Sequence, residues 1–182
     1  MQTPPLPYIL GWEDRIFLII NHLPHNPITD ALALTLSGVG AGGIIWFLLG
    51  LWLFVREKKK DTFFLLSLLI AGSLSWLIVN IIFKPLISRP RPPLDYLGGI
   101  LVGNLLSDFS FPSGHATIAW AMAVILSRYE PRWRGWFYLL AVLISFSRIY
   151  LGVHYPLDVV GGAFLGWIIG SLCLRIPGII KK

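Results

Sequence analysis

Charged residues are scarce in this chain of 182 amino acids. Asp, Glu, Lys and Arg together make up 13% of it, which is about half of their share in an average soluble domain. Hydrophobic residues make up 55%, and the mean hydropathy is +0.72. A soluble protein of this composition would have too few polar residues to cover its surface. The composition therefore predicts one domain, residues 1–182, that lies in lipid.

Cysteine is almost absent. The single Cys173 lies in an apolar run, so an internal disulfide is excluded. Residues 1–7 are polar and rich in proline, without a basic start, and we therefore expect no signal peptide. Fifteen Lys and Arg against nine Asp and Glu give a formal charge of +6. In a membrane protein this excess indicates cytoplasmic loops or a site for an anionic substrate, and we expect no nucleic-acid partner.

Long apolar runs are what the chain has in abundance. Five of them cover approximately residues 31–55, 62–83, 114–127, 136–151 and 157–174. A helix needs about 20 residues to cross the core of a bilayer. The first two runs supply that length alone, whereas the third and fourth need their flanks. We predict an all-α, polytopic transmembrane bundle of five spans over residues 31–175.

An earlier apolar stretch, residues 8–23, has a different character. Glu13, Asp14 and Arg15 interrupt it, and Pro24 and Pro27 close it. A short amphipathic helix of this kind is typical of the membrane interface. We predict an interfacial helix here, and the alternative is a sixth span.

Glycines recur at helical spacing in two of the runs. Gly162, Gly166 and Gly170 lie in the last run, and Gly38 and Gly42 lie in the first. Small residues four positions apart let two helices approach closely in lipid. The pattern predicts close helix contacts at both places, although glycine is common enough here for either match to arise by chance.

The basic residues predict the orientation of the bundle. Ten of them follow the first, third and fifth runs: Arg56, Lys58, Lys59, Lys60, Arg128, Arg132, Arg134, Arg175, Lys181 and Lys182. With five spans these ten lie on one side of the membrane, and the positive-inside rule assigns that side to the cytoplasm. The N-terminus and the loops 84–111 and 152–156 are then predicted to face outward.

The outward side has few cations, and they lie next to apolar segments. Lys84 ends the second run, Arg91 lies in a loop stiffened by prolines, and Arg148 ends the fourth run. Such cations could bind phosphate oxygens, Arg148 in a bidentate manner. Taken singly, they are equally typical of interfacial anchors. We assign Arg89 no role beyond headgroup contact, and we interpret Asp108 as a loop carboxylate.

Two histidines lie on the same predicted face. If Pro156 opens the last helix, the Asp158 carboxylate in its first turn can accept the N–H of His154 and leave the other ring nitrogen free as a nucleophile. Pro112-Ser113-Gly114 forms a turn into a helix start that suits an anion, and the adjoining His115 could protonate a leaving oxygen. Singly, an interface histidine and a helix cap explain these residues as well. Together with the cations, they indicate a site for an anion such as phosphate.

Three motifs in this order resemble a known signature. They read Lys84-x6-Arg91-Pro92, Pro112-Ser113-Gly114-His115 and Ser147-Arg148-x5-His154-x3-Asp158. They resemble the signature of the type 2 phosphatidic acid phosphatase (PAP2) superfamily, in its branch of bacterial membrane lipid phosphatases. The resemblance spans residues 84–158 without a substitution in the motifs. It implies an integral membrane phosphatase that acts on a lipid phosphate.

The resemblance also implies a role for each motif residue. His154 would attack phosphorus and become phosphohistidine, Asp158 would orient His154, and His115 would protonate the leaving oxygen and then activate water. The phosphoryl oxygens would be bound by Lys84, Arg91, Arg148, Ser113 and the backbone N–H of Gly114. No metal or other cofactor is expected, because three cations and helix-end N–H groups can stabilise the transferring phosphoryl group.

The lipid itself stays open between several candidates. We favour undecaprenyl diphosphate, because an outward-facing site suits recycling of that carrier and the compact chain resembles the short bacterial members. Phosphatidylglycerophosphate and the 1-phosphate of lipid A are close alternatives, and a lipid phosphotransferase would use the same residues. A non-enzyme with a relic site is disfavoured because both histidines are present. We expect a multi-pass protein of the inner or plasma membrane, with its site on the extracytoplasmic face and no oligomeric state indicated.

Overall fold

The computed structural model describes residues 10–56, 62–104 and 106–175, which form helices and contain no strand. The helices are α1 (Trp12–Asn21), α2 (Pro27–Gly40), α3 (Ile44–Arg56), α4 (Thr62–Leu77), α5 (Lys84–Ile87), α6 (Leu94–Leu97), α7 (Gly114–Tyr129), α8 (Arg134–Tyr150) and α9 (Pro156–Cys173). The predicted all-α class is confirmed. Residues 8–9 of the predicted interfacial helix, and Lys58, Lys59, Lys60, Lys181 and Lys182 of the basic clusters, lie outside the described residues.

Three helical stretches in the described ranges are long and apolar enough to cross a membrane: Pro27–Arg56, Phe63–Ile87 and Pro156–Cys173. The first joins α2 to α3 through a 3-10 turn, and the second joins α4 to α5 through a π-helical turn. α7 and α8 contain 16 and 17 residues, so at 1.5 Å per residue they are shorter than a bilayer core of about 30 Å. The predicted count of five spans is therefore not confirmed by helix length.

α1 is too short to add a span, because its 10 residues extend over only about 15 Å. Trp12 and Ile19 are exposed, whereas Phe17 and Asn21 are fully buried. The Asn21 side chain donates to the carbonyl oxygens of Ile100 (2.8 Å) and Tyr150 (2.9 Å) and accepts the Ile100 N–H (2.7 Å). These three bonds join α1 to the loop after α6 and to the end of α8.

α7 lies at the centre of the bundle and packs against α9, α8 and α4. Every residue from 116 to 127 except Trp120 is buried. Alanines on this helix allow neighbours on several sides to come close, and larger side chains such as Met122 and Ile125 fill the remaining core with Trp46 and Ile144. A helix buried on all sides is positioned by packing alone, so its N-terminus is a fixed point for the site.

The predicted glycine contact in the last helix is confirmed. A Cβ atom added to Gly162, Gly166 or Gly170 would lie 2.6, 2.1 or 2.6 Å from a backbone oxygen of α7 or of the residue before it. The same prediction is wrong for the first run. Nothing lies within 4 Å of a Cβ at Gly38 or Gly42, and Gly42 instead adopts a positive φ of 59° in the turn between α2 and α3.

Replacing Gly166 by alanine should destabilise the bundle. The new carbon would lie 2.1 Å from the carbonyl oxygen of Thr117, so α7 and α9 would have to separate, at a cost of roughly 1–3 kcal/mol in the free energy of unfolding. Gly38→Ala is the matched control, because its methyl group meets nothing within 4 Å. Thermal unfolding in detergent should give a lower Tm for Gly166→Ala alone. Equal Tm values for both variants would contradict the close contact.

Candidate active site

The start of α7 is tied directly to the start of α9. The backbone N–H of Ser113 donates to the carbonyl oxygen of Asp158 at 2.9 Å, across the interface that Gly162 and Gly166 keep narrow. The second and third motifs are thereby brought together, although they are separated along the chain by α8. Their polar residues meet at one end of the bundle.

His154 lies in the loop between α8 and α9 and is only 2% exposed. Its Nδ1 is 3.4 Å from Oδ2 of Asp158, and its Nε2 is 3.3 Å from Nη1 of Arg91. A guanidinium can only donate, so the second contact fits an Nε2 that carries a lone pair and an Nδ1 that carries the proton. Burial lowers the pKa of His154 to about 4, although Asp158 opposes the shift. The imidazole is therefore neutral at physiological pH.

Asp158 is fully buried and its two oxygens have separate partners. Oδ2 accepts the backbone N–H of Tyr155 at 2.8 Å, which closes the first turn of α9. Oδ1 accepts from Nη1 of Arg89 at 2.7 Å, and Nη2 of Arg89 is 2.6 Å from Oε2 of Glu13 on α1. Partial burial disfavours the charge on Arg89, but Glu13 and Asp158 outweigh it and raise the pKa of this guanidinium.

Lys84 and Arg91 converge on one carboxylate, that of Asp108. The Lys84 ammonium donates to Oδ2, and Nη2 of Arg91 donates to Oδ1 at 2.6 Å. Partial burial favours the neutral form of Asp108, but the hydrogen bonds from Lys84 and Arg91 outweigh it and lower the pKa of this carboxyl to about 2. Arg91 is held further by the carbonyl oxygens of Asp108 (3.0 Å) and Val153 (2.5 Å).

Arg148 is a buried cation, 5% exposed, at the end of α8. Its Nη1 donates to the hydroxyl of Ser37 on α2, and its Nε has no partner among the described residues. No carboxylate within the described ranges forms an ion pair with it. Burying an uncompensated charge is costly. Arg148 therefore suits an anion that enters the site.

The remaining motif residues complete the same end of the bundle. Ser113 is fully buried, and its hydroxyl has no hydrogen-bond partner in the part of the chain that the structure describes. Gly114 opens α7, and no side chain of the described residues caps this helix start. His115 follows in the first turn of α7. A hydroxyl, a helix start and three cations are donors of the kind that bind tetrahedral oxyanions in proteins.

All eight residues predicted from the sequence thus meet at one end of the bundle, but four neighbours were missed. Arg89 was assigned only headgroup contact and instead binds Asp158, and Asp108 was interpreted as a loop carboxylate and instead bridges two motif cations. Glu13 and Ser37 were given no role. Glu13 had a signal, since an acid at the start of a largely apolar helix is costly to bury without a partner. Ser37 had none.

The sequence model of the PAP2 superfamily matches residues 62–181, which include all three motifs. The chain belongs to the PAP2 superfamily.

PAP2 relatives match over nearly the whole chain. An undecaprenyl-diphosphatase of Bacillus subtilis is 30% identical over 92% of this chain and 85% of its own, and a lipid A 4′-phosphatase of Porphyromonas gingivalis is 30% identical over 93% and 74%. The crystal structure of a transmembrane PAP2-type phosphatidylglycerolphosphate phosphatase from Bacillus subtilis superimposes with a TM-score of 0.69 at 29% identity, over 93% of this chain and 86% of that one. The predicted class, an integral membrane phosphatase of the lipid-phosphatase branch, is confirmed.

The low pKa of His154 should decrease the free energy of unfolding of this PAP2 protein in acid. An unfolded histidine titrates near pH 6.5, so between pH 6.5 and 4 the unfolded chain binds a proton that the folded chain excludes. Stability is then lost as the pH falls, by up to about 1.4 kcal/mol per pH unit. His154→Gln removes this loss, so its Tm should decrease less than that of the wild type from pH 7 to pH 4.5.

The exposed His22 provides the control, and His22→Gln should follow the wild-type curve. Parallel Tm curves for His154→Gln and the wild type would mean that His154 titrates alike in the folded and unfolded chain, against the burial argument.

Proposed function

We propose that this PAP2 enzyme hydrolyses a lipid phosphate or diphosphate through a phosphohistidine on His154, with undecaprenyl diphosphate as the favoured substrate. One observation carries the proposal. Nε2 of His154 faces a cationic guanidinium, while the Asp158 carboxylate lies on the Nδ1 side. This is the arrangement that a neutral imidazole needs in order to attack a phosphorus atom held by cations.

The reaction has two steps. Nε2 of His154 forms a bond to phosphorus, the bond from phosphorus to the leaving oxygen breaks, and His115 gives its proton to that oxygen. A water molecule then attacks the phosphohistidine and gives a proton to His115, and the N–P bond breaks to release phosphate. Asp158 stabilises the imidazolium that carries the phosphoryl group in between.

The cations would bind the phosphoryl oxygens. Arg148 has no carboxylate partner among the described residues, and Lys84 and Arg91 share Asp108. The Ser113 hydroxyl and the Gly114 N–H would add neutral donors. Phosphoryl transfer needs mainly positioning and charge stabilisation. The described residues hold no group of three His, Cys, Asp or Glu side chains suited to a metal ion, and we propose that the reaction proceeds without one.

We propose one domain over residues 1–182, with five spans and an extracytoplasmic site. Trp52 packs edge-on to Trp133 at 6.4 Å, and Phe64 stacks on Tyr129 at 3.7 Å. These pairs put the ends of α3 and α7 beside the starts of α4 and α8. Four arginines of the basic clusters lie at this end, away from the site: Arg56, Arg128, Arg132 and Arg134. The positive-inside rule favours the cytoplasm for that end, and α7 and α8 would cross with their flanks.

The relatives support several lipids about equally. The undecaprenyl-diphosphatase and the lipid A 4′-phosphatase described above are each 30% identical to this chain, and the phosphatidylglycerolphosphate phosphatase is 29% identical. We favour the polyprenyl diphosphate because an outward-facing site suits its recycling and the chain is compact. Phosphatidylglycerophosphate, the 1-phosphate of lipid A and transfer of the phosphoryl group to another lipid are the alternatives that the same site allows.

Detergent-purified protein should release phosphate from a lipid phosphate without added metal. The panel contains undecaprenyl diphosphate, phosphatidylglycerophosphate, phosphatidic acid and lipid A, each with and without EDTA. We expect the highest kcat/KM for undecaprenyl diphosphate, no effect of EDTA, and a loss of at least about a thousandfold in His154→Ala, because the nucleophile is removed.

His22→Ala is the control for an exposed histidine and should retain full activity. Full turnover in His154→Ala, or strict dependence on added Mg²⁺, would contradict the phosphohistidine route. Release only in the presence of a second lipid as acceptor would indicate the transferase.

Asp108→Asn should strengthen inhibition by inorganic phosphate. In the free enzyme the Asp108 carboxylate occupies the donors of Lys84 and Arg91, so phosphate has to displace it. An asparagine competes less, and the inhibition constant should fall by about tenfold, equivalent to about 1.4 kcal/mol.

Asp95→Asn is the matched control, because Asp95 is exposed in α6. Weaker phosphate binding in Asp108→Asn would show that Asp108 orients the cations for substrate and does not compete with it.

A further inference from the structure

Arg89 lies in the same loop as Arg91 but is turned away from the phosphate-binding cations. Its guanidinium bridges Oδ1 of Asp158 (2.7 Å) and Oε2 of Glu13 (2.6 Å). The guanidinium also lies 4.4 Å above the ring of Tyr155. Both ends of this fork are therefore engaged by carboxylates of the protein, and Arg89 is not a ligand for the substrate.

Arg89 compensates the buried charge of Asp158. The carboxylate is 0% exposed, and a neutral His154 offers it a dipole but no positive charge. Arg89 makes the ion pair of 2.7 Å that compensates it. Without such a partner, only a protonated His154 would compensate the buried charge of Asp158.

Glu13 fixes Arg89 from the other side. Its Oε2 pairs with Arg89 at 2.6 Å, and its Oε1 accepts the backbone N–H of Leu157 in the first turn of α9 at 2.9 Å. One carboxylate of α1 thus holds both the guanidinium and the helix that carries Asp158. The negative charge of Glu13 also offsets part of the positive charge that Arg89 presents to Asp158.

We propose that Arg89 and Glu13 are positioning residues of the active site, which hold and compensate the buried carboxylate of Asp158 and so set the affinity of His154 for a proton. They act through Asp158 and do not touch the substrate. The inference rests on the proposed function insofar as His154 is the nucleophile. It extends the active site to α1, which lies before the region matched by the family.

The charges of the two residues predict opposite effects. Without the positive charge of Arg89, the negative field of Asp158 acts on His154 undiminished, and the imidazolium is favoured. Without the negative charge of Glu13, Arg89 offsets Asp158 more fully, and the imidazolium is disfavoured. The other groups that act on His154 stay unchanged in both variants: Arg91 from the loop before α6, Arg148 from α8 and His115 from α7.

The test is the titration of His154 by NMR in protein with ¹⁵N-labelled histidine, assigned with His154→Gln. The midpoint should move up by about 0.5–1 pH unit in Arg89→Gln and down by a similar amount in Glu13→Gln, as expected for a charge several ångströms away at an intermediate dielectric constant. The acid limb of kcat/KM should move in the same two directions.

Two variants separate charge from structure. Arg89→Lys keeps the positive charge, so the midpoint should stay near the wild-type value even where kcat falls. Arg15→Gln removes an exposed charge from the same helix as Glu13 and should move neither readout. Shifts of the same sign in Arg89→Gln and Glu13→Gln, or loss of activity without any shift, would overturn the inference and leave both residues a structural role.

Phosphate release and the NMR titration test the proposed function and the role of Arg89 and Glu13 separately. If no lipid in the panel releases phosphate, the proposed function fails, and the NMR titration still decides whether Arg89 and Glu13 control His154. If turnover is normal and the midpoints do not separate, the inference alone fails.

Discussion

The cost of burying charge governs this end of the molecule. Isolated ions are expensive in an apolar bundle, so each needs a partner or a ligand. The chain divides its charges into two groups. Arg89 lies between Asp158 and Glu13, and this group is closed within the protein. Among the described residues, the second group holds Lys84, Arg91 and Arg148 against the carboxylate of Asp108. The excess positive charge of the second group is what an incoming phosphate can neutralise.

Close packing of α7 against α9 holds Asp158, the central carboxylate of the first group, in its position. The glycines of α9 remove side chains where this helix meets α7, and the approach is close enough for the Ser113 N–H to reach the Asp158 carbonyl oxygen at 2.9 Å. With α7 buried on all sides, the turn before it cannot shift without disturbing the core. The precision of the polar site therefore derives from apolar contacts deeper in the bundle.

Sequence reasoning predicted the site better than the boundaries of the bundle. The helical class and the meeting of eight polar residues follow from apolar runs, proline turns and motif spacing, which are local signals. The number of membrane spans could not be predicted in the same way. α7 and α8 are short and reach across a bilayer only together with their flanking residues, and the pattern of apolar residues does not specify the conformation of those flanks. The spacing of Gly38 and Gly42 predicted a close contact between helices, but Gly42 is a turn residue with a φ of 59°. Residue spacing alone does not distinguish a glycine in a helix contact from a glycine in a turn. Asp108 and Arg89 were visible as charges, but the path of their loop is set by tertiary contacts.

Part of the support for the site around His154 comes from outside the region that defines the family. The match begins at residue 62, yet Glu13 holds Arg89, Ser37 binds Arg148, and Asn21 ties α1 to the end of α8. The motif residues are the histidines, the cations and the carboxylate that meet at the end of the bundle. Residues that only hold those groups in place can be supplied by any element that packs nearby. In this chain the N-terminal helices thus contribute to the charge balance around His154, and so to the pH range in which its imidazole is neutral.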